Sequence, residues 1–180
     1  NLITMDHHVL LRKHRKKLLF DPGSLPVKTD FSRDDIKRII PHRDPLLFLD
    51  RITSIDLETR SITAERWIDP ADPVFAGHFP EFPVYPGMFA MEMLGQAGVA
   101  LCHFLCENTH CIDEDAKPAS VRATKVLGSY FLEPILPGVH VTMIGSQILW
   151  DGMIGRFLGQ VISDGKIACV SFGEMLIFRK

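Results

Sequence analysis

The sequence lacks an unbroken apolar run of the kind that spans a bilayer, which takes about 18 to 20 residues. Its longest apolar stretches are interrupted at Glu92, Gly95, Gln96, Gly98 and His103. The 180 residues are 46% hydrophobic and 23% charged, which matches one globular domain of ordinary composition. We therefore expect a single soluble domain without a transmembrane segment.

Paired cysteine motifs are also missing. The four cysteines show no C-x-x-C spacing, and Cys102 and Cys106 lie one helical turn apart in an apolar pattern. This pattern favours buried free thiols over disulfides and suits a reducing cytoplasm. His103 and His110 do not complete a zinc ligand set with the cysteines, because these side chains would scatter over several faces of the helix. We expect no metal site.

Positive charge is not in excess overall, but it is concentrated at one end. The net charge is −2, yet residues 1–20 carry +4 and the remaining 160 residues carry −6. Such a basic arm contacts nucleic acid, anionic lipid or an acidic protein, or else it is a short solvated helix docked through apolar residues. Those apolar residues are Val9, Leu10, Leu11, Leu18, Leu19 and Phe20. No second basic patch accompanies the arm, so we expect no nucleic acid partner.

Turn and cap signals divide the rest of the chain. We assign residues 1–30 to the basic arm and a linker, and residues 31–180 to the main domain. A capping-box pattern at Ser32 and Asp35 predicts a short helix that ends near Ile40. Two strand-like segments follow, at residues 48–56 and 60–67. Two strands are therefore expected before a proline-rich loop.

The pattern from residue 86 to about residue 107 is apolar on nearly every side, which predicts a helix buried all round. The next four segments are rich in β-branched and aromatic residues, at 119–131, 140–150, 153–163 and 166–179. Asp151-Gly152 and Asp164-Gly165 are two-residue hairpin signals, which predict an antiparallel meander. The sequence thus predicts an α+β fold in which a curved sheet wraps a central helix. Its open edges favour the pairing of two protomers.

Two residues at the start of this helical segment point to acid–base chemistry. His78 lies between Gly77 and Phe79-Pro80, so its backbone is constrained and its ring can accept a proton near neutral pH. Glu92 lies between two methionines in the apolar helix, where burial would raise its pKa and keep it protonated. A loop histidine that only satisfies carbonyls and a glutamate that only bonds to Gln96 are the structural alternatives. The co-occurrence of both favours an enzyme.

Gly87 adds an oxyanion donor, because its amide belongs to the first turn of the helix and no side chain blocks the approach of a carbonyl. From its spacing alone, an ordinary loop-to-helix glycine is an equal alternative. A base, a protonated acid and an oxyanion donor suit the removal of water from a 3-hydroxyacyl thioester. This β-elimination requires no cofactor.

At these residues the chain resembles the β-hydroxyacyl-(acyl carrier protein) dehydratases, in the glutamate-bearing, hydroxymyristoyl dehydratase-like branch of the hotdog superfamily. The matching motifs are Pro41 to Arg51, Gly77 to Pro80, Pro83 to Gly87, Glu92 to Ala97, and Pro134 to Gly138. The resemblance covers residues 36–178 or so.

The resemblance implies a hotdog fold and a hydro-lyase that converts (3R)-3-hydroxyacyl-[acyl carrier protein] to trans-2-enoyl-[acyl carrier protein] in fatty acid or related lipid biosynthesis. It implies an acyl carrier protein partner that presents the substrate on phosphopantetheine. It also implies a homodimer, often assembled into a hexamer as a trimer of dimers. In such dimers the histidine and the acid of one site come from different protomers.

The resemblance also assigns roles by position. His78 takes the C2 proton, and the partner subunit's Glu92 protonates the leaving hydroxyl. The Val84 carbonyl orients the His78 ring, the Gly87 amide binds the thioester oxygen, and Gln96 supports Glu92. Glutamate rather than aspartate at the acid position argues for dehydration without isomerisation. The substrate tunnel is assigned to Phe79, Pro86, Met88 and Tyr130.

The chain departs from the family pattern after Phe131, where Leu132-Glu133 replaces the usual basic residues. The cluster from Arg12 to Lys17 is then an alternative contact for an acidic carrier. Val139 replaces a common aspartate, and the sequence gives no reason for it. A hotdog acyl-thioesterase or a non-catalytic acyl-thioester binder is the alternative function, but neither needs His78. A polyketide or aryl-polyene dehydratase shares the site and differs only in substrate.

Overall fold

The computed structural model describes residues 6–178. The elements are α1 (His7–His14), β1 (Val27–Ser32), α2 (Arg33–Ile39), β2 (Arg51–Asp56), β3 (Ser61–Trp67), a 3₁₀ turn (Pro73–Ala76), α3 (Gly87–Glu107), β4 (Ser120–Phe131), β5 (His140–Trp150), β6 (Ile154–Ser163) and β7 (Lys166–Phe178). The expected end of the last strand at Arg179 and the first five residues of the arm lie outside the described residues.

The seven strands form one antiparallel sheet in the order β1-β2-β3-β5-β6-β7-β4, and α3 packs against its concave face. The two Asp-Gly turns connect β5 to β6 and β6 to β7, with Gly152 at φ 99° and Gly165 at φ 75°. Glycine tolerates these positive φ angles without steric cost. The predicted meander is confirmed for β5, β6 and β7, whereas β4 pairs with β7 and forms an edge of the sheet.

The first strand corrects the expectation that two strands precede the loop. Val27–Ser32 forms β1 and pairs with β2, so the sheet begins within the segment that was assigned to the linker. Its side chains alternate between half-buried and exposed, and Phe31 on the half-buried side packs against Phe104 of α3. The segment is only six residues long and none of its side chains is fully buried, so its strand signal is weak. Ser32 then caps α2 through the predicted capping box with Asp35.

Helix α3 is not buried on every side, which corrects a second expectation. One side packs into the sheet, with Met93, Ala97 and Phe104 almost fully buried. The opposite side is open, and the Met88 side chain is 70% exposed. The helix is long and apolar enough to cross a bilayer by composition, but 61% of its most apolar window is buried within the protein, as expected of a core helix. Pro86 is its N-cap and not its first helical residue.

Helix α1 and the turn after it pack on the outer face of the sheet, away from α3. Leu11 is 2% exposed and contacts a small apolar cluster formed by Leu158, Val170 and Phe172. Val9, by contrast, is 54% exposed. The arm is therefore a docked helix, as one of the two sequence interpretations predicted, and Leu11 is its most deeply buried apolar residue.

Candidate active site

His78 lies on an irregular loop between the 3₁₀ turn and α3. Its Nδ1 atom is 2.8 Å from the Val84 carbonyl oxygen, and the Val84 amide donates to the His78 carbonyl at 3.0 Å. Because a carbonyl only accepts, Nδ1 carries the proton in this contact and Nε2 keeps a free lone pair. The Phe79 ring stacks on the imidazole with centroids 4.1 Å apart. The loop therefore holds the imidazole as a fixed proton acceptor.

The His78 cavity has a volume of about 250 Å³ and lies at the N-terminus of α3. Gly87 and Phe131 form part of its lining. A Cβ atom at Gly87 would lie 2.8 Å from the Phe131 ring, so the close approach of β4 requires glycine here. The Gly87 amide has no acceptor within residues 6–178, as expected for the first turn of a helix. An N–H donor of this kind suits a developing oxyanion.

Glu92 lies on the open side of α3 and is held by two neighbours. Gln96, one turn later, donates from Nε2 to Glu92 Oε1 at 3.0 Å. His42 Nε2 lies 3.3 Å from the same oxygen. Gln96 is fully buried, and its amide has partners there. Its Oε1 atom accepts from the Phe48 amide at 2.7 Å, and its Nε2 atom also donates to the Leu46 carbonyl at 2.8 Å. The loop between α2 and β2 thus fixes the rotamer of Gln96 and, through it, the carboxyl group.

The charge state of Glu92 differs from the sequence expectation. Burial acts to raise its pKa, but the hydrogen bonds from His42 and Gln96 and the charge of His42 outweigh burial, so the pKa lies below its ordinary value. The Glu92 side chain is 46% exposed in the single protomer. In the single protomer the pKa of Glu92 is therefore shifted in the direction opposite to the sequence expectation, because α3 has an open side and two donors stabilise the carboxylate.

His42 is the site residue that sequence reasoning missed. It follows Pro41 in the motif from Pro41 to Arg51, and the motif alone assigns it no role. The available signal was its position in that motif just before the loop that reaches Gln96. The neighbouring Arg43 donates to the carbonyls of Lys37 and Ile40, and Arg33 pairs with Asp44 and Asp50, so the loop that carries His42 is well braced.

Glu92 borders a second cavity, which we call the Glu92 groove, also of about 250 Å³. It lies between the open side of α3 and strands β4 and β7, and Val99, Phe157 and Glu174 are among its lining residues. The groove and the His78 cavity have no lining residue in common. Within one protomer, the structure does not bring His78 and Glu92 into one cavity.

The predicted tunnel residues are in different environments. Phe79 and Met88 are 52% and 70% exposed, and Pro86 is half-buried at the N-cap of α3. Tyr130 does not face the site, because it pairs with Val170 of the outer cluster and lies under the Arg15 guanidinium. Its neighbour Phe131 faces the His78 cavity instead. Alternate residues of a strand point to opposite faces, so Tyr130 lies on the outer face of the sheet and Phe131 on the side of the His78 cavity.

Nucleophilic and metal chemistry find little support in the described residues. Cys102 and Cys169 are buried free thiols, and burial raises the pKa of both to about 12, which keeps them protonated. Within residues 6–178, the one group of three possible metal ligands is Asp6, His7 and His8 at the start of α1. These three residues line neither the His78 cavity nor the Glu92 groove.

Comparisons with known proteins identify the family. Residues 40–170 match the FabA-like domain. The chain is 35% identical over 142 residues to the 3-hydroxyacyl-[acyl-carrier-protein] dehydratase FabZ of Chlamydia trachomatis, which covers 76% of this chain and 89% of the relative. It is 33% identical over 146 residues to FabZ of Anaeromyxobacter sp. strain Fw109-5, and this match covers 81% of this chain and 89% of the relative.

Two solved structures share the fold. The dehydratase heterocomplex ApeI:P of Xenorhabdus doucetiae matches with a TM-score of 0.62 at 17% identity, over 81% of this chain and 91% of that chain. A hypothetical thioesterase of Streptococcus pneumoniae matches with a TM-score of 0.54 at 8% identity, over 72% and 85%. The predicted hotdog architecture, a sheet wrapped around a central helix, is confirmed. By its sequence and its fold, the chain belongs to the FabA-like family of hotdog dehydratases.

Proposed function

We propose that this protein is a 3-hydroxyacyl-[acyl carrier protein] dehydratase, a hydro-lyase that converts (3R)-3-hydroxyacyl thioesters to trans-2-enoyl thioesters in fatty acid or related lipid biosynthesis. The observation that carries the proposal is the contact between His78 Nδ1 and the Val84 carbonyl, which leaves Nε2 as a proton acceptor. Family membership supports the same reaction.

The reaction needs one proton acceptor, one proton donor and a donor for the thioester oxygen. His78 Nε2 takes the C2 proton while the Gly87 amide stabilises the negative charge that develops on the thioester oxygen. The C2–H electron pair forms the C2=C3 double bond as the C3–O bond breaks. The carboxyl proton of the partner subunit's Glu92 goes to the departing hydroxyl, which leaves as water. Return of the proton from the imidazolium to the carboxylate then completes the cycle.

A homodimer would combine the two half-sites. Strand β4 is twelve residues long and pairs on one side only, and Val126 and Phe131 on it are 59% and 56% exposed. An edge of this length with exposed apolar side chains is a surface for pairing with another copy. The open side of α3 lies beside it. Docking two copies through these surfaces would place His78 of one copy against Glu92 of the other, and such dimers would assemble further into a hexamer.

Assembly also offers Glu92 the protonated state that a general acid needs. Phe79 and Phe82 on the His78 loop are 52% and 59% exposed in the protomer. If this apolar loop covers the partner subunit's Glu92, water is removed from the carboxylate and its pKa rises. His42 and Gln96 would then orient the carboxyl group. His42 is a positioning residue in this scheme.

The test is turnover followed by mass spectrometry, with 3-hydroxyacyl-[acyl carrier protein] substrates of several chain lengths. The proposal predicts loss of one water with the thioester retained. Release of free acid and carrier thiol would instead identify a thioesterase. Absence of any reaction would favour a non-catalytic acyl-thioester binder. Dehydration of polyketide or polyene thioesters alone would support the same reaction but assign the enzyme to a different pathway. The free thiols of Cys102, Cys111 and Cys169 support placement of the enzyme in the cytoplasm.

A further inference from the structure

The basic arm is held against the sheet by a buried polar side chain. Gln160 on β6 is fully buried, and its Oε1 atom accepts from the Leu19 amide at 2.9 Å. Its Nε2 atom donates to the His14 carbonyl at 2.5 Å and to the Lys17 carbonyl at 2.9 Å. A buried amide that satisfies three backbone groups of another segment fixes that segment in place. The turn after α1 is therefore positioned by the sheet.

Apolar packing fixes the helix itself. A Cβ atom at Gly128 of β4 would lie 2.5 Å from Leu11 Cδ1, so the missing side chain makes room for Leu11. The Arg15 guanidinium lies 5.4 Å above the centre of the Tyr130 ring, within the range of a cation–π contact. The arm lies outside residues 40–170, which match the family domain. It is thus an addition to the hotdog core that packs on the core at defined points.

The docked arm completes a basic groove lined by Arg15, Lys16 and Lys166. Its volume is about 500 Å³, and its one carboxylate belongs to Glu133, 3.9 Å from the Lys166 ammonium. Leu132 and Glu133 also line the His78 cavity. The basic groove and the cavity that holds the proposed base are therefore neighbours, with Leu132 and Glu133 bordering both.

We propose that the basic groove is the docking surface for the acidic carrier protein that delivers the substrate thioester. This inference rests on the proposed function and names the surface that serves the same site. Two lysines and one arginine in a groove beside the His78 cavity complement an acidic protein whose phosphopantetheine arm must enter that cavity. The position directly after Phe131 lacks basic side chains, since Leu132 and Glu133 occupy it. The arm and Lys166 supply positive charge at the same place.

The position of the charges favours a carrier over the other anionic partners. A membrane or a nucleic acid needs cations spread over an extended surface, whereas these three line one groove beside the His78 cavity. Lys13, in the last turn of α1, belongs to the same basic arm as Arg15 and Lys16, is exposed and does not line the basic groove. It is therefore a matched control for charge that is not in the groove.

The experiment compares two substrates with the same acyl group, one on acyl carrier protein and one on free pantetheine. In the Lys16→Glu/Lys166→Glu variant, KM for the carrier-linked substrate should rise about tenfold or more, while kcat/KM for the pantetheine thioester stays within about twofold of wild type. The KM of the wild type should also rise with salt, and more steeply than that of the variant. Lys13→Glu should behave as wild type.

The inference is overturned if the double variant keeps the wild-type KM for carrier-linked substrate, or if Lys13→Glu raises that KM as much. Unchanged carrier kinetics together with lost binding to vesicles of phosphatidylglycerol and phosphatidylcholine would assign the groove to a membrane instead. Failure of the proposed function is distinguishable, because wild-type protein would then dehydrate neither substrate. Thermal melting of each variant checks that the fold is retained.

Discussion

The His78 cavity and the Glu92 groove have the same volume but differ in how complete they are. At His78 one protomer supplies both groups: the imidazole is oriented by the Val84 carbonyl, and Gly87 lines the same cavity. At Glu92 the carboxyl group is oriented but half-exposed, and its pKa is shifted towards the charged form. The base is thus oriented within one protomer, whereas the acid depends on the second copy that we propose.

The two regions also differ in what holds them. The orientation of the His78 ring depends on contacts within residues 78–84, although the Tyr85 amide also donates to the Ile135 carbonyl, so the geometry is mainly local. Glu92 depends on Gln96 and His42, and Gln96 in turn depends on a loop about 50 positions earlier in the chain. Local restraints survive small changes elsewhere, whereas a long-range network fails when one member is removed. The acid half is therefore the more sensitive half.

The largest expected effect is loss of catalysis from either half-site. His78→Ala and Glu92→Gln should each lower kcat/KM for hydration of a 2-enoyl thioester by about 10³ or more, because each removes one proton-transfer group. Circular dichroism and size-exclusion chromatography should show unchanged folding and assembly. Glu107→Gln, an exposed acid on the same helix, is the control and should keep full activity. Substantial activity in either active-site variant would reject the role given to that residue.

The next effect concerns the oxyanion donor of the His78 cavity. Gly87→Ala places a methyl group 2.8 Å from the Phe131 ring, so the start of α3 must shift. We expect a fall in kcat/KM of about 10², since a displaced amide no longer faces the oxyanion. The double variant Gly87→Ala/Phe131→Ala relieves the clash and should recover part of the loss. Wild-type kinetics in Gly87→Ala would show that the amide has no such role.

The acid half can be probed through its pH profile. His42→Ala removes a hydrogen bond and a charge that stabilise the Glu92 carboxylate, so the pKa of Glu92 should rise. The acid form would then persist to higher pH, and the basic limb of the kcat/KM profile should move up, with less than about tenfold loss at its maximum. His140→Ala, on the exposed start of β5, should leave the profile in place. An unchanged basic limb in His42→Ala would show that His42 does not influence the pKa of the acid.

The smallest expected effect is on stability and not on activity. Glu174 in the Glu92 groove is 7% exposed, and burial acts to raise its pKa, but hydrogen bonds from Arg156 and Thr124 lower it further than burial raises it. A lowered folded-state pKa stabilises the protein above the ordinary value of 4.5 and loses that effect as pH falls through the folded value.

Glu174→Gln should therefore lower the free energy of unfolding by about 1 to 2 kcal/mol at pH 7. As the pH falls to about 3.5, the variant should lose less stability than the wild type, because it lacks the carboxylate that becomes protonated. Urea unfolding at one fixed protein concentration measures both values. Parallel pH curves for the two proteins would exclude this linkage.

The features that the sequence predicted well are those that neighbours along the chain determine. The capping box at Ser32 and Asp35 and the two Asp-Gly turns are complete within a few residues, and the structure contains all three. The long central helix and the strands around it follow from composition over longer windows. The residues of the site, His78 and Glu92, were identified by motif, and their catalytic roles stay predictions.

The features that the sequence did not predict depend on partners far away in the chain. Whether Tyr130 or Phe131 faces the cavity depends on the register between β4 and β7. The pairing of β4 with the last strand, the open side of α3 and the lowered pKa of Glu92 depend in the same way on tertiary neighbours. Such properties require the folded chain.

The most direct test of the shared site is complementation between two inactive variants. His78→Ala and Glu92→Gln are mixed under conditions that exchange subunits, and mass spectrometry verifies that heterodimers form. With random exchange, half of the dimers contain both variants and each has one intact site, so activity should return to about a quarter of wild type. Full heterodimer formation without any recovery of activity would contradict a site built from two protomers.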